Sequence, residues 1–116
     1  NDWYVYSHGG TKNTGLFALD WINKIQELGA GEILLTSMDK DGTKSGFDIE
    51  LLIKVSEFIK IPVIASGGVG KLEHFYDGVI RGKANALLAA SVFHFNEFSI
   101  KDVKNYLFSK NINIRL

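Results

Sequence analysis

Apolar residues along this chain follow two alternating spacings. Short runs are apolar at nearly every position, and between them apolar residues recur every three or four positions. Trp3-Tyr4-Val5-Tyr6 is aromatic and β-branched and predicts a short strand, with a loop over residues 7–13. Ala18, Trp21, Ile22, Ile25 and Leu28 have helical spacing and predict a helix from Thr14 to Leu28, ended by Gly29 and Gly31. Glu32 to Thr36 reads as a strand apolar on both faces at its centre, as buried parallel strands are. A long polar loop, Ser37 to Gly46, follows. Ser45 and Asp48 have capping-box spacing, opening a helix with Leu51, Leu52, Val55, Phe58 and Ile59 on one stripe. Pro62 begins the next strand, which breaks into Gly67-Gly68-Val69-Gly70. Leu72, Phe75, Tyr76, Val79 and Ile80 predict another helix. Asn85 to Ala90 is the last strand and breaks into small residues and a short helical turn. Ser99 and Asp102 make a second capping box, before a helix striped by Ile100, Val103 and Leu107.

Strand, loop and helix thus repeat at about 24 to 29 residues, which predicts parallel β/α units of the α/β class. The loops after strands are long and polar and those before strands are short, which places the chemistry at the C-terminal ends of the strands. The chain has 116 residues, whereas a complete (β/α)8 barrel needs about 250. It therefore reads as a single partial domain, residues 1–116. A first residue of Asn rather than Met fits a fragment or a processed chain. A net charge of zero argues against a nucleic-acid partner. The absence of cysteine excludes disulfides, thiolate metal sites and cysteine nucleophiles, and fits a reducing cytoplasm. No apolar run approaches the roughly 18 residues of a membrane span, and no signal-peptide pattern opens these 116 residues.

Two consecutive strands end in loops of glycine or small residues, at Gly67-Gly68-Val69-Gly70 and at Ala90-Ser91. Backbone N–H groups in such loops can converge on one anion, and in a (β/α)8 barrel the loops after the last two strands form such a phosphate site. A tight turn with no ligand would explain either loop alone; the pair points to phosphate. Position 73 is Glu, so no dinucleotide fingerprint is present, and no P-loop exists. In the long loop, Asp39 and Asp41 flank Lys40. A solvated charged loop explains them, and so does a carboxylate at a barrel mouth that moves a proton or holds a substrate hydroxyl. Gly42 offers a bare N–H beside it, and Thr36 and Ser37 bring hydroxyls to the strand end. Glu32 starts its strand at the opposite end, where a salt bridge is the plainer role. His8, His74 and His94 lack metal-ligand spacing, and no nucleophile elbow is present.

The runs from Gly29 to Gly46, from Ile64 to Phe75 and from Ala89 to Phe95 resemble the cyclase subunit of imidazole glycerol phosphate synthase, a barrel enzyme of histidine biosynthesis. The likeness covers nearly the whole chain. It implies the C-terminal half of a (β/α)8 TIM barrel: strands six to eight with their helices, and the end of unit five. It implies ammonia-dependent lyase and cyclase chemistry that converts a ribulosyl-formimino aminoimidazole carboxamide nucleotide (PRFAR) into imidazole glycerol phosphate and AICAR. Ammonia would come from a glutaminase subunit docked at the N-terminal face, and no cofactor is implied. The likeness puts one substrate phosphate at Gly42, Gly68, Ala90 and Ser91, with Gly67 adjacent. It places Thr36 and Asp41 in the active site in supporting roles and Glu32 at the ammonia entrance. The two principal catalytic aspartates of that family belong to its first and fifth strands, upstream of Asn1. The chain would then need the N-terminal half of the barrel, or a second copy of itself, to close its sheet. A related cyclase-like enzyme of surface-glycan biosynthesis, and a non-catalytic phosphate-binding half-barrel, remain alternatives.

Overall fold

A computed structural model describes residues 2–116. Its centre is a three-stranded parallel sheet of β3 (Ile33–Thr36), β4 (Val63–Ser66) and β5 (Ala86–Leu88), in that spatial order. Helix α2 (Ile49–Ser56) joins β3 to β4, and α3 (Leu72–Ile80) joins β4 to β5. The one-turn helix α4 (Ser91–His94) and α5 (Ile100–Ser109) follow. Before the sheet come β1 (Tyr4–Ser7), β2 (Lys12–Phe17) and α1 (Ala18–Glu27). Parallel strands alternating with helices make this a partial (β/α) barrel, open rather than closed.

The strand alternation sets two faces. Ile33, Val63 and Ala65 point one way and are buried beneath Leu51, Leu52, Val55 and Phe75 of the helices. Phe75 stacks edge-on with Phe47 at 6.4 Å and Phe98 at 6.0 Å, drawing the helices into one core. Leu34, Ile64 and Leu88 occupy the opposite, lumen side of the sheet. There Leu34 is 56% and Leu88 39% exposed, so this apolar face is uncovered.

Three local expectations need correction. The residues expected as a loop and the start of a helix, 7–17, instead form a hairpin in which β2 pairs antiparallel with β1. Tyr4 and Phe17 pack ring to ring at 5.1 Å, Thr14 Oγ1 donates to the Val5 carbonyl, and Gly15 takes a φ of +77°. The helix begins only at Ala18, whose N–H donates to the Trp3 carbonyl. Second, Asp48 rather than Ser45 caps α2: its Oδ1 accepts the Leu51 N–H at 3.1 Å. Gly46, with a φ of +110°, breaks the chain between them, and the Ser45 hydroxyl pairs with Thr43 instead. Third, α2 ends at Ser56, so Phe58 and Ile59 pack from the following turn. The Ser99–Asp102 box forms as expected, with reciprocal bonds of 2.8 and 3.1 Å.

Candidate functional site

Strand pairing builds the site. Thr36, Ser66 and Leu88 stand side by side in register on β3, β4 and β5, at their C-terminal ends. Beyond them the three following loops enclose an open cavity of about 470 Å³. Thr36, Asp41, Gly42, Gly67, Gly68, Ala90 and Ser91 all line it. Seven positions singled out in the sequence are thereby gathered from three loops. Glu32 is apart from them: it is exposed and precedes β3 at the opposite end of the strand. The two loop aspartates divide. Asp41 lines this cavity, whereas Asp39 lines a neighbouring groove beside Trp3 and Tyr4.

Two loops are locked together at the cavity floor. Gly46 N–H donates to the Gly68 carbonyl at 2.7 Å, and Ser37 N–H to the Ser66 carbonyl at 3.0 Å. Gly67 and Gly68 have φ of +102° and +111°, which side chains rarely adopt. A Cβ on Gly67 would lie 2.7 Å from the Ser37 carbonyl oxygen, and one on Gly70 2.5 Å from that of Lys44. Close backbone packing alone therefore requires these glycines, whether or not an anion binds. Gly42 shares the positive φ, at +78°, but a Cβ there would meet nothing within 4 Å. At the rim, Lys44 Nζ reaches both carboxylate oxygens of Glu97 at 2.8 and 2.9 Å, tying the long loop to the segment after α4. Being half exposed, this pair contributes at most about 1 kcal/mol.

The cavity is lined mostly by backbone and small side chains. Its described lining offers the backbone of three glycines, Gly42, Gly67 and Gly68, and the small residues Ala89, Ala90 and Ser91, and Asp41 is the one charged side chain there. Helix α4 has four residues, too few for a strong macrodipole. Thr36 and Ser66 add hydroxyls at the floor. Ser66 received no role from the sequence. Its signal was its phase: two residues after Ile64, it shares the lumen face and the register of Thr36.

A family model described as histidine biosynthesis protein matches residues 1–99. The chain belongs to that family. Its members are barrel-fold isomerases and cyclases of histidine biosynthesis, in keeping with the partial (β/α) barrel seen here. In the histidine biosynthesis protein family as in other barrels, strand C-terminal loops are where chemistry is expected, and the cavity lies there. None of the helices described is long and apolar enough to cross a membrane.

Proposed function

We propose that this chain is the C-terminal half-barrel of the cyclase subunit of imidazole glycerol phosphate synthase. The observation that carries the reading is the loop from Ser37 to Gly46, which presents Asp41 and Gly42 to the same cavity as Gly68, Ala90 and Ser91. A phosphate held by loop N–H groups of Gly42, Gly68, Ala90 and Ser91 would anchor one end of PRFAR. Thr36 and Asp41 would then face the sugar portion, where a hydroxyl ligand and a proton-transfer group are needed for the lyase and cyclisation steps. Glu32 would sit by the entrance for ammonia at the opposite end of the strands, beneath a docked glutaminase subunit. The work would be cytoplasmic, where glutamine and the phosphorylated substrate are found.

The 116 residues hold three parallel strands, and the resemblance places the two principal catalytic aspartates on others. The reading is tested by supplying ammonium and PRFAR to the chain alone and to the chain combined with the first half of the barrel. Imidazole glycerol phosphate and AICAR should form only in the combined sample and only with ammonium. An isomerase of the same family would act on its substrate without ammonium. Turnover by the chain alone would refute the expected division of catalytic groups. No turnover by the combined sample, with phosphate still bound, would favour the surface-glycan or non-catalytic alternative.

A further inference from the structure

The most connected side chain near the cavity does not line it. Asp48 is half-buried at the start of α2 and uses both carboxylate oxygens. Oδ1 accepts the Leu51 N–H at 3.1 Å, which is ordinary helix capping. Oδ2 accepts from two other elements: the Ser37 hydroxyl at 3.2 Å and the Trp3 indole N–H at 3.2 Å. Capping needs only the first oxygen, so the second is spent on something else.

Ser37 is the pivot between Asp48 and the cavity. It is buried, 7% exposed, and lies at the C-terminal end of β3. Its carbonyl accepts the Asp41 N–H at 2.9 Å, and its N–H donates to the Ser66 carbonyl. Ser37 begins the long loop and Asp48 follows its end. The bond between them closes the loop at its base, while Asp41, Gly42 and Thr43 stay exposed at its crest. Trp3, at the foot of the hairpin, holds the same oxygen from outside.

We propose that Asp48 is a positioning residue: its Oδ2 staples both ends of the loop that carries Asp41 and so fixes Asp41 at the cavity. The proposal rests on the reading of Asp41 as a group of the cyclase site. Asp48 acts through Ser37 and touches no substrate. Closing the loop base limits the paths open to its crest, and it does so through two bonds of 3.2 Å that converge on one carboxylate oxygen. The phosphate loops at Gly68, Ala90 and Ser91 lie outside the staple. Loss of the staple therefore misplaces Asp41 and leaves most of the phosphate anchorage in place.

Asp48→Asn separates stapling from capping. The amide oxygen can still cap Leu51, while the NH₂ group that replaces Oδ2 cannot accept from the Trp3 indole and meets Ser37 only by donating to its hydroxyl, so the outer arm is lost and the inner arm must reverse. Ser37→Ala removes the inner arm alone and leaves the cap intact. In ¹H–¹⁵N spectra of the chain, both variants should move the Asp41 and Gly42 amide signals, and Asp48→Asn should also move the Trp3 indole signal. In the complete barrel, kcat should fall about 10-fold to 100-fold in Asp48→Asn, the scale of loss from small misplacement of a reacting group. KM should change less than about threefold, because uniform binding is retained. Asp41 and Gly42 signals that stay put in both variants, or an Asp48→Asn enzyme with wild-type kcat, would overturn the staple. If the signals move but the wild-type complete barrel shows no ammonia-dependent turnover, the staple stands and the cyclase reading fails.

Discussion

The amide of Gly46 donates to the carbonyl of Gly68 at 2.7 Å, and a Cβ on Gly68 would collide with the Gly46 carbonyl oxygen. The loops after β3 and β4 are thus a single packed body at the cavity floor. A residue that looks reserved for a ligand is reserved first for its neighbouring loop.

Gly68→Ala should therefore destabilise the fold itself. Overpacking against backbone that cannot swing aside costs about 1–3 kcal/mol, and the positive φ adds to it. Urea denaturation should show a lower midpoint with an unchanged slope. A midpoint equal to wild type would mean that the loops part readily and that the floor is soft. Gly68→Val should be worse still, so loss of phosphate affinity in that variant would not by itself locate the anion.

Phosphate is better located without touching the floor. Titration of the ¹⁵N-labelled chain with inorganic phosphate should shift the amide signals of Gly42, Gly68, Ala90 and Ser91 along one saturating curve. The exposed amides of Gly29 and Gly31, at the far end of the units, should not move. Gly42→Ala should weaken binding without the collision expected at Gly68, since its Cβ meets nothing within 4 Å, though the φ of +78° there adds a backbone strain of about 1–2 kcal/mol. Shifts confined to other loops would place the anion elsewhere.

The sequence was informative where a pattern is local. The three parallel strands, the Ser99–Asp102 box and the buried Ala18 and Ile22 of α1 follow from spacing, while Trp21 and Leu28 of the same expected stripe are exposed. The hairpin was not legible, because what holds it is Tyr4 against Phe17 and Thr14 against the Val5 carbonyl, partners thirteen and nine residues apart. The cap of α2 was misread for a related reason. Ser45 and Asp48 satisfy the spacing of a box, but Gly46 turns the chain and leaves Asp48 as cap. At the site, residue types and strand ends brought up Thr36, Gly42 and the pair Asp39 and Asp41, and it was the family resemblance that chose Asp41, the one of the two that lines the cavity. The second use of Asp48 needed Trp3, forty-five positions away, and no periodicity announces such a bond.

The two loop aspartates offer a sharper test of the catalytic reading. Asp41 lines the cavity and Asp39 the groove beside Trp3, although only Lys40 separates them. In the complete barrel, Asp41→Asn should lower kcat about 100-fold or more, the range for a positioned proton-transfer group, and Asp39→Asn by less than about threefold. The substitution is nearly isosteric, so folding should survive in both. Equal losses would show that the wrong carboxylate had been assigned, and a larger loss at Asp39 would move the chemistry to the other groove.

Exposure on the lumen face decides how the chain behaves alone. Leu34 and Leu88 are 56% and 39% exposed, and Ile64 between them is half-buried. In the sheet β3 and β5 each pair on one side only, with β4. Parallel sheets ordinarily bury both faces, and unpaired edges invite another strand. Burying a side chain of this kind contributes about 1.5–3 kcal/mol, so leaving several in water is large against a total stability of about 5–15 kcal/mol. A second copy of the chain, or the first half of a barrel, could cover this face and pair both edges. We expect the purified chain to sediment as a dimer or larger species at micromolar concentration, and Leu34→Glu with Leu88→Glu to shift it towards monomer. Adding the first half of the barrel should displace the self-association in favour of a one-to-one complex. A well-folded wild-type monomer at that concentration would show that the open face is stable in water, and the half-barrel reading would fall with it.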